Sequence, residues 1–177
     1  MRYTGAALVA ALACGLVGSA DEAEKYVSKD GGYAVQFPPG AEVAVKTQDA
    51  PGGLKAVVTT ALLKADRQTY VVVHTPHTKG VLKAAAKAVL AAGEKATLAP
   101  PGTAKVAVKD FTFGREKFPA RDVLTDRDGN QTRTRFILAD PKLYTLVVGG
   151  PKEFASGPEA DAFLDSFELV PAGKGKK

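Results

Sequence analysis

The sequence predicts an α+β fold, an antiparallel β-sheet with helices packed on it. Three observations predict it. Gln131 to Gly150 (QTRTRFILADPKLYTLVVGG) holds two runs rich in β-branched and aromatic residues around Asp140-Pro141. That pair has turn chemistry, because Asp caps its own backbone and Pro sets φ in advance. Asp128-Gly129, after a strand-like run from Arg121 to Asp126, is the strongest two-residue hairpin signal in the chain. Two other segments, Pro76 to Ala92 and Ser156 to Phe167, repeat apolar residues at helical spacing. With 45% hydrophobic and 24% charged residues the chain is not a disordered one, and 177 residues suit one domain.

The first stretch, residues 1–20, reads as an export signal: Arg2 is the basic start, Ala6 to Val17 is apolar but too short to span a bilayer, and Gly18-Ser19-Ala20 is a small-residue cleavage site. The expected remainder is a short polar leader (21–25), a single domain (26–170) and a basic tail (171–177). The single cysteine, Cys14, lies in the signal. Ala11-Leu12-Ala13-Cys14-Gly15 partly resembles a lipobox, so a lipid anchor at Cys14 is the alternative to its removal. Either way the domain has no disulfide or thiol chemistry. The expected location is periplasmic or extracellular, with no transmembrane segment in the mature chain. The formal charge is +5, but Arg2, Lys174, Lys176 and Lys177 sit at the ends, so the body is nearly neutral. No nucleic-acid partner is expected from that balance.

Within the domain, Asp30-Gly31-Gly32 is a tight turn, and Tyr33, Val35 and Phe37 alternate on a strand stopped by Pro38-Pro39. Glu42 to Thr47, Leu54 to Ala65 and Thr69 to Thr75 read as three more strands. In the first helical segment Val81, Leu82, Ala85, Ala86 and Val89 share one side, and Gly93 is a plausible stop. Val106 to Gly114 is a strand, and Phe118-Pro119 makes its neighbour irregular. A two-residue turn at Asp128-Gly129 sets Asp122 opposite Arg135 and Leu124 opposite Arg133. One face then carries Asp122, Asp126, Arg133 and Arg135; the other carries Val123, Phe136 and Leu138 with Thr125, Thr132 and Thr134. Leu143 to Val148 is apolar at nearly every position and is expected to be a central strand covered on both faces. Gly149-Gly150-Pro151 should break the sheet. Ser156 with Glu159 makes a capping box for a helix bearing Ala160, Phe163, Leu164 and Phe167, and Phe167 to Val170 adds a short strand.

Few chemical signatures are present. There is no nucleotide-binding Gly motif, no HExxH and no GxSxG. No cofactor is implied. His74 and His77 are weak metal candidates, since zinc needs three or four ligands. Asp126 to Asn130 lacks the glycine and glutamate positions of a calcium loop. Asp122, Asp126, Arg133 and Arg135 form either a cross-strand ion-pair ladder or a recognition patch whose arginines grip a carboxylate or phosphate.

Several stretches together resemble the PsbP-like group, α/β sandwich domains named after an extrinsic photosystem subunit, and most of all its small exported members. They are Asp30 to Pro39 (DGGYAVQFPP), Phe118 to Val123 (FPARDV), Arg133 to Gly150 around Leu143-Tyr144, and Ala162 to Leu169 (AFLDSFEL), in matching order. The resemblance implies helices on both sides of an antiparallel sheet. It transfers no catalytic residue and no photosynthetic role. The expectation is an exported, monomeric, non-catalytic binding or accessory module of the cell envelope with an envelope protein as partner. The alternatives are a small-ligand or metal carrier, and after it a hydrolase using sheet-face carboxylates.

Overall fold

A computed structural model describes residues 25–50, 53–63 and 67–170. The expected signal, Cys14 and the basic tail lie outside the described residues. In chain order the elements are β1 (Lys25–Ser28), β2 (Tyr33–Gln36), β3 (Glu42–Ala50), β4 (Leu54–Leu63), β5 (Gln68–Pro76), α1 (Val81–Ala84), α2 (Ala86–Leu98), β6 (Ala104–Phe113) and β7 (Phe118–Arg127). Then follow β8 (Asn130–Ala139), β9 (Lys142–Pro151), α3 (Lys152–Ala155), α4 (Pro158–Ser166) and β10 (Glu168–Leu169). Strands β3 to β9 form a seven-stranded sheet in the order β3-β4-β5-β9-β8-β7-β6, and β1-β2-β10 form a small second sheet. Every described pairing is antiparallel.

The two hairpins read from sequence are the middle of the large sheet. Asp128 and Gly129 both take positive φ, 55° and 78°, as a two-residue turn requires, and Arg127 pairs with Asn130. Asp140-Pro141, joined by a cis peptide bond, turns β8 into β9 with Ala139 opposite Lys142. β9 is the central strand. Its even-numbered side chains Tyr144, Leu146 and Val148 are buried, whereas Thr145 and Val147 on the other face are only half-buried. The expected cover on both faces is thus complete on one face alone.

That complete face holds the larger core. Tyr70 and Val72 of β5, Ile137 of β8 and the buried set of β9 meet Tyr33 and Val35 of β2 and Phe163 and Leu164 of α4. Burying each such side chain contributes about 1.5–3 kcal/mol. On the opposite face Leu82 and Leu90, from α1 and α2, pack on Val123, Phe136 and Leu138. The fold is therefore the α+β arrangement expected, with helices on both sides of an antiparallel sheet.

Several details differ from the sequence reading. Gly93 does not stop the helix: α2 runs on to Leu98, and a Cβ at Gly93 would lie 2.9 Å from the Phe136 ring. Its glycine is a packing residue that lets helix and sheet approach. The helical segment breaks at Ala85 and starts only after Gly80, which takes a φ of 88°. Pro119 sits inside β7 opposite Thr112, beyond the last β8 pairing at Ala120, where its missing N–H removes no bond to β8. Gly149 and Gly150 continue β9, and a Cβ at Gly150 would meet the Phe154 ring at 2.5 Å. Ser156 ends α3 rather than capping α4; Gly157 is the N-cap of α4, Pro158 opens its first turn, and the Ser156 hydroxyl donates to Gln131 Oε1 at 2.7 Å.

Candidate functional site

Helix α2 crosses only the β7–β8 side of the sheet and leaves a cleft of about 640 Å³ beneath its C-terminal half. The sheet wall is set by register. Thr125 lies opposite Thr132, Val123 opposite Thr134, Phe136 opposite Thr145 and Thr134 opposite Val147. Because side chains alternate, Thr125, Thr132, Thr134, Phe136, Thr145 and Val147 all face the helix side. Ala96 and Thr97 form the helix wall, Thr103 the loop wall, and Arg127 and Asp128 the mouth at the hairpin tip. The same face continues over β5 and β4 as a half-buried shelf of Val71, Val73, Val58 and Thr60.

The hydroxyls of the cleft are unequally employed. Thr97 donates to the carbonyls of Gly93 and Glu94, and Thr125 donates to the Thr132 carbonyl at 3.3 Å. Thr134 is 2% exposed and its Oγ1 has no partner. Buried polar atoms are normally satisfied, so this hydroxyl stands out among the residues of the cleft. Helix α2 is held at its angle by Arg121, which donates to both oxygens of Asp110 (2.6 and 2.8 Å) and to Glu94 Oε2 (2.8 Å). That contact keeps the Asp110 carboxyl below its ordinary pKa.

The charged group read from sequence lies on the opposite face. Register places Asp122, Arg133 and Arg135 together, as the turn predicts. They lie under α4. Arg135 donates from Nε and Nη2 to the two oxygens of Asp122 (2.8 and 3.0 Å) and from Nη1 to the Leu164 carbonyl and Asp165 (3.0 and 2.9 Å). Its guanidinium also sits 5.1 Å from the Phe111 ring centre. Arg133 bridges Asp122 and Asp161. Asp126 stands apart, accepting from the Gly129 backbone and the Gln131 amide. These arginines already hold carboxylates of the chain itself, and the cluster ties α4 to β7 and β8.

The two histidines do not converge on further ligands. Among the described residues no group of three or more His, Cys, Asp or Glu is placed to hold a metal. His74 is 4% exposed in an aromatic nest with Tyr33 and Tyr144, and its Nδ1 lacks a partner. Burial pushes its pKa below the ordinary value, Lys142 pushes the same way, and Asp30 opposes them. Burial and neighbouring Tyr33 push the Tyr144 phenol up to about 12, so it stays a donor to the Gly31 carbonyl. Because the folded state resists protonating His74, the unfolded chain binds the proton first. Stability is intact above about pH 6.5 and falls as pH drops below it toward the depressed folded value. Urea unfolding at pH 7.5 and 5.0 should show that loss, and His74→Phe should reduce it; an identical pH dependence in the variant would contradict the assignment.

The cleft is a candidate site that the sequence alone did not bring out. The signal is the placing of Thr125, Thr132 and Thr134 on one face by the register of the hairpin. The second wall could not be anticipated with the helix ended at Gly93. No described helix is long and apolar enough to cross a membrane.

No protein-family model matches the chain, and no curated protein matches it. Among solved structures it is similar to the solution structure of cyanobacterial PsbP (CyanoP) from Synechocystis sp. PCC 6803, at 15% identity and a TM-score of 0.56, covering 89% of this chain and 97% of that one. The identity speaks for architecture alone: the protein has a PsbP-like fold.

Proposed function

We propose that the protein is an exported, non-catalytic binding module of the cell envelope that uses the cleft beneath α2. Export rests on the Arg2, Ala6 to Val17 and Gly18-Ser19-Ala20 pattern. The single observation that carries the binding reading is the buried, unpartnered Thr134 hydroxyl in the wall of an open cleft. A cleft of this size, part apolar and part hydroxyl, is the usual form of a small-ligand site. Its wall offers groups that hold a ligand. Among the described residues, Arg127 and Asp128 are its only titratable lining groups, and they lie at the mouth.

The plug variant Ala96→Trp tests this. Ala96 is an exposed position on the helix wall, so a bulky side chain there obstructs the cleft with little cost to the core. Native mass spectrometry of wild-type protein recovered from the envelope fraction should show a bound species that Ala96→Trp lacks. The same adduct profile in both proteins would contradict the cleft as the site.

A further inference from the structure

We propose that the cleft takes an uncharged, polyhydroxylated ligand of saccharide size; the inference rests on the binding-module reading and narrows it. The lining decides the class. Thr103, Thr132, Thr134 and Thr145 line the cleft, and the threonine hydroxyl donates one hydrogen bond and accepts others. They also present methyl groups, and Phe136 and Val147 add apolar surface between them. A sugar ring carries the same mixture, with hydroxyls around its rim and C–H groups on its faces.

Other classes fit worse. An anion needs cationic donors, and among the described residues the only cation in the lining is Arg127, at the mouth beside Asp128 of opposite sign. A purely apolar ligand would cover the threonine hydroxyls without pairing them, which is costly. Thr134 makes the argument specific. Its Oγ1 is enclosed without a protein partner, so a turn of that side chain toward the cleft would give it, in a ligand hydroxyl, a bond that the free protein lacks. The volume of about 640 Å³ is within the range of pockets that enclose small molecules.

The test is an amide-resolved NMR titration of the protein as recovered from the cell, with N-acetylglucosamine, its β-1,4-linked dimer, maltose and trehalose as probes. Inorganic phosphate and octanoate serve as anionic and apolar comparisons. The proposal expects a saccharide to shift the amides of Thr132, Thr134 and Thr145, and Thr134→Val to weaken that binding about tenfold, the worth of one hydrogen bond. The same variant should fold as stably as wild type or more so, because Val removes an unpaired hydroxyl at nearly equal volume. No saccharide shift at these amides overturns the proposal, as does equal affinity in Thr134→Val. Shifts there with octanoate or phosphate alone overturn the saccharide class and leave the binding cleft standing. No shift with any probe counts against both.

Discussion

Arg135→Ala should lower the unfolding free energy by about 3–5 kcal/mol, the cost of breaking a buried ion pair from one side. The residue is 7% exposed. Burial pulls its pKa down, its bonds to Asp122 and Asp165 push it up, and the net shift is upward. Truncation does more than remove a charge. Asp122 loses two charge-assisted hydrogen bonds, the Leu164 carbonyl loses its donor, and a void opens beside Phe111. Asp122 keeps only Arg133, itself shared with Asp161. Arg135→Lys should recover little, because an ammonium cannot span both oxygens of Asp122 and the Leu164 carbonyl together. The paired replacement Asp122→Leu with Arg135→Leu should recover much of the loss, because it removes both charges. The denaturation midpoint in urea measures each variant. A change under about 1 kcal/mol in Arg135→Ala would mean the cluster is an exposed ladder.

Phe163→Ala should be as damaging, at about 3–5 kcal/mol. Phe163 is 3% exposed on the inner side of α4. Its ring stacks on Phe37 at 5.6 Å and meets Tyr70 edge-on at 5.1 Å. It therefore joins three layers: the helix, the chain leaving β2, and the central region of the large sheet. The truncation leaves a cavity that rigid sheet residues cannot close, and forfeits two aromatic contacts worth about 0.5–1.5 kcal/mol each. Glu159→Ala, on the exposed side of the same helix, should stay within about 0.5 kcal/mol of wild type. Equal effects at the two positions would mean that α4 is not docked as described.

The local chemistry of the chain was legible where turns and alternation act together. Asp128-Gly129 fixed the register of β7 on β8, and from that register alone the grouping of Asp122, Arg133 and Arg135 follows. What register cannot show is what covers a face. Asp161 and Asp165 belong to α4, and only the docking of α4 over β8 brings them to the arginines. Gly93 was misread for a related reason. Glycine ends helices by its backbone freedom, but here it serves by lacking a Cβ against Phe136, a contact between segments more than forty residues apart. The capping box failed because Ser156 had a better partner in Gln131. The cleft depends on both effects, a face assigned correctly and a helix ended too soon.

On the proposed reading the two sheet faces divide the work, with the arginine face holding the fold together and the threonine face open to a ligand. One comparison tests that division directly: Ala96→Trp and Arg133→Ala measured side by side for thermal stability and for retention of the species bound to wild-type protein. The account predicts that Ala96→Trp loses the bound species at an unchanged Tm, and that Arg133→Ala keeps it at a lowered Tm, since Arg133 ties Asp122 to Asp161. Loss of the bound species in Arg133→Ala at an unchanged Tm, with Ala96→Trp still loaded, would contradict it and return the function to the arginine face.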